Sequence, residues 1–339
     1  MPKFDLENKI SASTAEPRVS VIIPAYNASA NILETLESVF AQTYQNFEVI
    51  VINDGSPDTE EFERQITHFL DKLVYISRAN TGVSIARNVG ITKATGEIVA
   101  FLDSDDIWDP KYLESQVEFL VSNDLGMAYC DAELFGIPAV IGTSFMDGSP
   151  SEGEVTVESL LDIKCNVITS GTIARKSVVE VAGMFENRRE VQSEDFHLWV
   201  RIAHSGANIG YQRKKLAKYR VSVDGLSGNA VNRVVRAIDV FKRLDRDLDL
   251  TAEQRAIIER RVAMFEGDLE LEKGKALLLG GDFAGAYKSF GEASRRRRSL
   301  KLSLIAKLTR IVPKLVRKMY VNKNAAELAL VQKLEGGEA

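Results

Sequence analysis

The first hundred residues alternate between apolar runs of strand length and segments with helical periodicity. Four runs have the β-branched composition of buried strands: VSVIIP (19–24), FEVIVIN (47–53), LVYI (73–76) and EIVAFL (97–102). The segments between them repeat apolar residues at helical spacing: 32–40, 59–71 and 83–94. This alternation predicts an α/β fold with a mostly parallel sheet covered by helices.

The pattern loosens after residue 110 and changes again near residue 228. A helix at 110–122, a short strand at 127–130 and a Gly/Pro/Ser-rich stretch at 136–153 continue the first pattern, with further short elements to about 220. From about 229 no strand-like run remains. We therefore expect three regions: a flexible N-terminus (1–17), an α/β domain (18–228) and a helical C-terminal region (229–339).

Part of the helical region, LEKGKALLLGGDFAGAYKSFGEA (271–293), resembles a single tetratricopeptide unit. Repeats of this kind usually need about three or more copies to stack. We therefore favour a simple helical hairpin.

Composition narrows the class of protein. The hydrophobic and charged fractions, 45% and 27% of 339 residues, are those of an ordinary globular chain. The two cysteines form no CxxC pair and the three histidines have no zinc-like spacing. The N-terminus has no apolar h-region, and no run approaches the ~20 apolar residues of a spanning helix. We expect a cytoplasmic protein with no signal peptide and no transmembrane segment.

The segment FLDSDDIW (101–108) carries the strongest chemical signal, a buried strand that ends in three carboxylates. Buried aspartates need compensation by donors, solvent or a cation, and Mg²⁺ or Mn²⁺ prefers oxygen ligands. Ligands also bind at this edge of open α/β sheets. An Asp-rich turn that caps the next helix is the alternative, and the segment alone does not separate the two. Asp109 is the better cap, which leaves Asp103 and Asp105 unexplained by capping.

Three other segments are ambiguous when each is taken alone. VINDGSPD (51–58) places Asp54 on a tight turn after a strand, which is also an ordinary turn sequence. NTGVSIARNVGI (80–91) opens a helix that carries Arg87, which suits an anion or a solvated surface equally. QSEDFHLWVRIA (192–203) opens a helix with Glu194 and Asp195, which the helix dipole alone would favour.

The order of these motifs resembles the inverting family 2 glycosyltransferases with the GT-A fold, a Rossmann-like domain that binds nucleotide-diphosphate sugars. The resemblance covers about residues 18–226. It implies that Pro24, Ala25 and Tyr26 line the nucleoside pocket, that Asp54 reads the base and that Arg87 acts at the nucleotide end.

The resemblance also implies roles on the metal and acceptor sides. Asp103 lies near the ribose, Asp105 holds the metal ion as part of a DxD motif, and Asp195 is the general base. Arg220, in KYRVSVDGLSGN (218–229), contributes to the diphosphate site. Glu194 and Trp199 belong to the acceptor side.

The implied reaction is a single displacement that transfers a sugar from a nucleotide donor, most often a UDP-sugar, to a glycan or lipid-linked acceptor with inversion. Mn²⁺ or Mg²⁺ is the implied cofactor. The Gln-x-x-Arg-Trp motif of processive synthases is absent, which favours non-processive transfer in cell-surface glycan or polysaccharide biosynthesis.

The segment 295–324 has 11 Lys and Arg residues and no acid, in a chain whose net charge is −5. Apolar residues interleave with them at near-helical spacing, as in amphipathic helices that lie on anionic membranes. Peripheral attachment to the inner face of the cell membrane follows from that hypothesis. A helix packed on the protein with solvated charges is the alternative. Nucleic acid is not expected, because no binding motif accompanies the charge.

Two other classes of protein remain to be compared with the transferase. A non-enzymatic scaffold that binds a nucleotide or glycan is opposed by the intact Asp103, Asp105 and Asp195. A dinucleotide-binding oxidoreductase is opposed by the absence of GxGxxG after the first strand.

Overall fold

The structure, a computed structural model, describes residues 16–188, 193–222 and 230–322. It divides into two compact units. The first comprises the chain up to Leu134, Gly142–Leu160 and Lys164–Arg220, and the second comprises Phe135–Ile141, Leu161–Ile163 and the chain from Val221 onwards. The boundary predicted at 228 lies outside the described residues, as do 1–15 and 323–324.

The first unit is built on an eight-stranded sheet with the strand order β3-β2-β1-β4-β7-β6-β8-β5. The strands are β1 Val19–Ala25, β2 Phe47–Asp54, β3 Val74–Arg78, β4 Ile98–Phe101, β5 Ile107–Trp108, β6 Met127–Phe135, β7 Thr172–Arg175 and β8 Ile209–Arg220. The helices are α1 Ile32–Phe40, α2 Thr59–Ile66, α3 Val83–Lys93, α4 Tyr112–Ser122, α5 Phe145–Gly148, α6 Val157–Leu161, α7 Lys176–Val181 and α8 Glu194–His204.

The sheet is mixed rather than mostly parallel. β1 pairs in parallel with β2 and β4, and β2 with β3, as the sequence predicted for the first hundred residues. β7 is antiparallel to both β4 and β6, and β5 is antiparallel to β8. The antiparallel half brings the end of β8 beside the loop after β4.

Burial on both faces of the sheet explains why the strand sequences are rich in β-branched residues. Every residue of β1 is buried, because β1 lies between two strands and under helices on both faces. Helix α3 packs so closely on it that a Cβ atom at Gly90 would lie 2.5 Å from Cγ2 of Ile22. Two buried clusters, one on each face of the sheet, form the core of this unit.

The second unit contains α9 Ala230–Asp247, α10 Ala252–Gly280, α11 Phe283–Arg296 and α12 Leu300–Ile311, and residues 313–322 are also helical. A capping box between Thr251 and Gln254 begins α10. Gly281, with a φ of 87°, ends it in the left-handed conformation that glycine tolerates best.

The predicted helical hairpin is present as α10 and α11. The Asp282 carboxylate caps α11 by accepting from the Gly285 N–H at 2.8 Å. A Cβ atom at Gly274 would lie 2.7 Å from the Phe290 ring, so the small residue permits the close approach of the two helices. Among the described residues, no helix is both long enough and apolar enough to span a bilayer.

Candidate active site

Three carboxylates follow β4, as the sequence indicated, and hydrogen bonds fix the loop that carries them. Asp106 is 1% exposed, and its carboxylate accepts from the Ser170 hydroxyl at 2.5 Å and the Arg220 backbone N–H at 2.8 Å. The Asp103 N–H donates to the same Ser170 hydroxyl at 3.1 Å. Asp109 is not the helix cap that the sequence predicted, since the N-cap of α4 is Lys111 and the Asp109 carboxylate accepts from the Lys111 N–H at 2.9 Å in the turn before the helix.

The three carboxylates repel one another. Burial and the charge of Asp103 raise the pKa of Asp105 to about 6, although Arg220 partly opposes this shift. Burial, Asp103 and Asp105 together raise the pKa of Asp106 well above its ordinary value. A cluster of this kind favours the binding of a cation, which would offset the repulsion and accept the carboxylate oxygens as ligands.

Arg87 is a buried bridge between two parts of the site. Its guanidinium donates to Asp103 Oδ1 and to Glu194 Oε1, both at 2.7 Å, and it lies 5.2 Å from the centroid of the Phe185 ring. Its side chain is 4% exposed. Burial alone would lower the pKa of the guanidinium, but Asp103 and Glu194 raise it above its usual range. Arg87 therefore connects the loop after β4 to the start of α8.

Asp195 lies in the first turn of α8, which begins after Ser193 in a left-handed conformation with a φ of 57°. The Thr169 hydroxyl donates to Asp195 Oδ2 at 2.9 Å, and the Phe196 N–H donates to Asp195 Oδ1 at 2.7 Å. Two donors thus fix the carboxylate, and it is partly exposed.

Tyr219 lies near the end of β8. Burial raises the pKa of its phenol, and the charges of Asp106, Asp103, Asp105 and Asp195 raise it further.

A short turn, Thr169–Gly171, contacts both sets of carboxylates. The Thr169 hydroxyl donates to Asp195, and the hydroxyl of the next residue, Ser170, donates to Asp106. Two further hydrogen bonds hold the turn: the Trp108 indole donates to the Ser170 carbonyl at 2.6 Å, and the Gln116 amide donates to the Gly171 carbonyl at 2.9 Å. Sequence reasoning missed this turn, because a polar Thr-Ser-Gly run is typical of any loop.

Arg220 lies where β8 meets the loop after β4. Its Nε donates to the Asp105 carbonyl at 2.8 Å, and its guanidinium pairs with Glu34. The pairing of β5 with β8, in which Trp108 is opposite Ala217, places it there.

The residues predicted to hold the nucleoside lie at the ends of β1 and β2. Pro24 and Ala25 are buried within β1, whereas the Tyr26 side chain is 56% exposed. Asp54 is 3% exposed, and its carboxylate accepts from the N–H groups of Thr81 and Gly82. In this structure Asp54 therefore anchors the start of α3.

The two residues predicted on the acceptor side are both buried. Trp199 is 1% exposed and packs against Phe101 and Phe185. Glu194 is 9% exposed and is bound to Arg87. Their assignment to the acceptor side stays a prediction.

Residues 20–139 match the family model described as glycosyl transferase family 2. This match and the glycosyltransferase relatives of the chain support a family 2 glycosyltransferase. A relative in Escherichia coli, the UDP-Glc:alpha-D-GlcNAc-diphosphoundecaprenol beta-1,3-glucosyltransferase WfgD, is 29% identical over 66% of this chain and 85% of that protein. An uncharacterized glycosyltransferase of Rickettsia bellii is 34% identical over 62% of this chain, and the match spans 29% of that longer protein.

Solved structures agree with the fold of this family 2 glycosyltransferase. The mannosyltransferase PcManGT of Pyrobaculum calidifontis, in complex with GDP-Man and Mn²⁺, has a TM-score of 0.59 and 21% identity over 98% of this chain and 91% of that one. The predicted GT-A fold, family and enzyme class are confirmed. The alternatives of a scaffold and an oxidoreductase receive no support from these relatives.

Proposed function

We propose that this glycosyltransferase moves one sugar from a nucleotide-diphosphate donor to an acceptor hydroxyl, with inversion, and that Asp195 is the general base. The observation that carries the proposal is that two adjacent residues of one turn, Thr169 and Ser170, hydrogen-bond to Asp195 and to Asp106 of the carboxylate cluster, respectively. Such an arrangement separates a carboxylate that can take a proton from a cluster that can bind a cation and a diphosphate.

Asp105 would hold Mn²⁺ or Mg²⁺, and Asp103 would lie near the ribose of the donor. The raised pKa of Asp105, to about 6, indicates a site where positive charge is needed. When bound, the ion supplies Lewis-acid stabilisation of the departing diphosphate. A fold neighbour contains Mn²⁺ with GDP-Man, which supports the same class of cofactor.

Asp195 would take the proton of the acceptor hydroxyl while its oxygen attacks the anomeric carbon. The bond from that carbon to the diphosphate oxygen breaks at the same time, and the diphosphate leaves with the electron pair. One displacement inverts the configuration. Thr169 and the Phe196 N–H each use one acceptor position on the carboxylate, and the remaining lone pairs are free for the proton.

The donor would lie along the ends of β1, β2 and β4. Tyr26 offers an exposed ring to the nucleoside beside the backbone of Pro24 and Ala25. Asp54 remains the proposed base-reading residue and Arg220 the proposed diphosphate residue. For Arg87 we propose a positioning role, since its guanidinium is already bound by Asp103 and Glu194.

The donor is proposed to be a UDP-sugar and the acceptor a glycan or lipid-linked sugar for the cell surface. The name of the E. coli relative states a UDP-sugar donor and a diphosphoundecaprenol-linked acceptor for that protein. Such an acceptor lies in a membrane. We therefore propose that the enzyme works at the cytoplasmic face of the membrane, with the basic segment 295–324 towards the lipid.

A screen of nucleotide-diphosphate sugars for slow hydrolysis would identify the donor. With that donor and an acceptor, ¹H NMR of the first product should give the anomeric configuration opposite to the donor. Retention of configuration would contradict the single displacement.

Thr169→Val should lower kcat by about 10-fold to 100-fold, because a hydrogen bond to a charged group contributes roughly 1.5–3 kcal/mol. Valine keeps the shape of threonine but cannot orient Asp195. Steady-state kinetics should give an unchanged KM for the donor, and Thr169→Ser should restore most of kcat.

Thr172→Val is the matched control, since its hydroxyl lies in the same segment and donates to the Ile168 carbonyl. It should reduce stability without a comparable loss of kcat. Equal kcat values for wild type and Thr169→Val would exclude the positioning role.

A further inference from the structure

The last helices of the described chain have two apolar faces. One face packs on the α10–α11 hairpin through Leu302, Ala306, Val316 and Tyr320. The other face, here called the apolar stripe, is exposed and consists of Leu300, Leu304, Leu308, Ile311, Leu315 and Met319. Its exposure reaches 88% at Leu300 and 74% at Ile311. Packing on the protein therefore accounts for one face only.

The positions of the stripe follow a helical repeat. Within α12, Leu300, Leu304, Leu308 and Ile311 are spaced as i, i+4, i+8 and i+11, which places them along one side of the helix. The helix breaks at Val312, before Pro313, and Leu315 and Met319 continue an exposed apolar row in 313–322. An exposed apolar row such as the one on α12 indicates an interaction site.

The basic residues of this region divide into two groups. Arg295, Arg296 and Arg297 form ion pairs with acids of α10 and α11. Within 300–322, six basic residues are exposed and, in the part of the chain that the structure describes, make no ion pair: Lys301, Lys307, Arg310, Lys314, Arg317 and Lys318. Six cations without an internal counter-ion, beside an apolar stripe, complement an anionic and apolar surface.

We propose that the apolar stripe is the surface by which the enzyme lies on an anionic lipid bilayer. Leucine and isoleucine side chains would enter the acyl boundary while the six cations contact phosphate headgroups. The lipid-contacting part of 295–324 is then one face of 300–322. This assignment rests on the proposed location of the enzyme at a membrane, but not on the roles of the catalytic carboxylates.

Two other occupants fit these observations less well. A second copy of the chain would bring the six cations of each stripe together, which is unfavourable. A nucleic acid would use the cations but would leave the apolar stripe in water.

Flotation of the full chain with vesicles tests the proposal. The enzyme should bind phosphatidylcholine vesicles that contain phosphatidylglycerol and should not bind phosphatidylcholine alone. The double variant Leu304→Gln/Ile311→Gln should bind the vesicles at least about tenfold more weakly, since each substitution removes an aliphatic side chain that the bilayer would bury. Replacing Lys307, Lys314 and Lys318 with glutamine should weaken binding about a hundredfold at low salt, at roughly fivefold per charge.

Met264→Gln is the matched control, because Met264 is 50% exposed and lies on α10, which carries no residue of the stripe. It should bind as the wild type does. Circular dichroism should give the same melting for all variants, since the substituted side chains are exposed. Asp195→Asn should also bind fully, so a failure of vesicle binding is separable from a failure of the proposed catalysis.

Three results would overturn the proposal. The first is a wild type that does not bind the anionic vesicles. The second is a stripe variant that binds them as tightly as Met264→Gln does. The third is a stripe variant that changes only the oligomeric state, measured by light scattering, or only the binding of an RNA or DNA oligomer.

Discussion

Asp195→Asn should lower kcat by about 10²-fold to 10⁴-fold, the contribution typical of a general base. Asparagine keeps the size of aspartate, and its amide oxygen can still accept from the Thr169 hydroxyl, so α8 should begin as before. The amide cannot take the proton of the acceptor. Steady-state kinetics with an identified donor and acceptor would measure the loss, and donor binding should remain.

Asp109→Asn is the control for that substitution. Asp109 follows β5, and its carboxylate accepts from the Lys111 N–H in the turn before α4. Its replacement should leave kcat within a few-fold of the wild type. If Asp195→Asn behaved like Asp109→Asn, another residue would have to be the base.

Arg87→Met should destabilise the first unit by about 3–5 kcal/mol, because it leaves two carboxylates near or within the core without their cation. Asp103 and Glu194 each lie 2.7 Å from the guanidinium, and Glu194 is 9% exposed. Burial and Asp195 already raise the pKa of Glu194, so the loss of Arg87 removes the charge that opposes them. Urea denaturation would measure the change.

Two further variants separate this effect from the loss of any arginine. Arg64→Ala removes an exposed partner of Glu61 and should cost less than about 1 kcal/mol. Glu194→Gln in the Arg87→Met background should recover part of the loss, because it removes one unpaired charge. A small effect of Arg87→Met, equal to that of Arg64→Ala, would show that the bridge contributes little.

The parallel half of the sheet could be predicted because β1, β2 and β4 are buried on both faces and therefore read as continuous apolar runs. The antiparallel half could not. β7 has four residues and β5 two, which is too short for a periodic signal, and β8 carries QRKK within it. Its pairing depends on contacts that are distant in sequence, so its place beside the site emerges only in the fold.

Some residues of the candidate site could likewise be predicted from the sequence, and others could not. Asp103 and Asp105 could be found because carboxylates directly after a buried strand are unusual, and Asp195 through the family resemblance. Thr169 and Ser170 carried no local signal, since hydroxyl residues are common in loops. Arg87 was identified, but its partners were not, because Glu194 lies 107 residues and Asp103 lies 16 residues from it in sequence.

Titration of UDP in the presence and absence of Mn²⁺, on the wild type and Asp105→Asn, tests the central claim most directly. The account predicts that Mn²⁺ tightens UDP binding to the wild type and that Asp105→Asn removes this enhancement. Binding of UDP that is equally tight with and without Mn²⁺ in the wild type would contradict a metal-assisted donor site at these carboxylates.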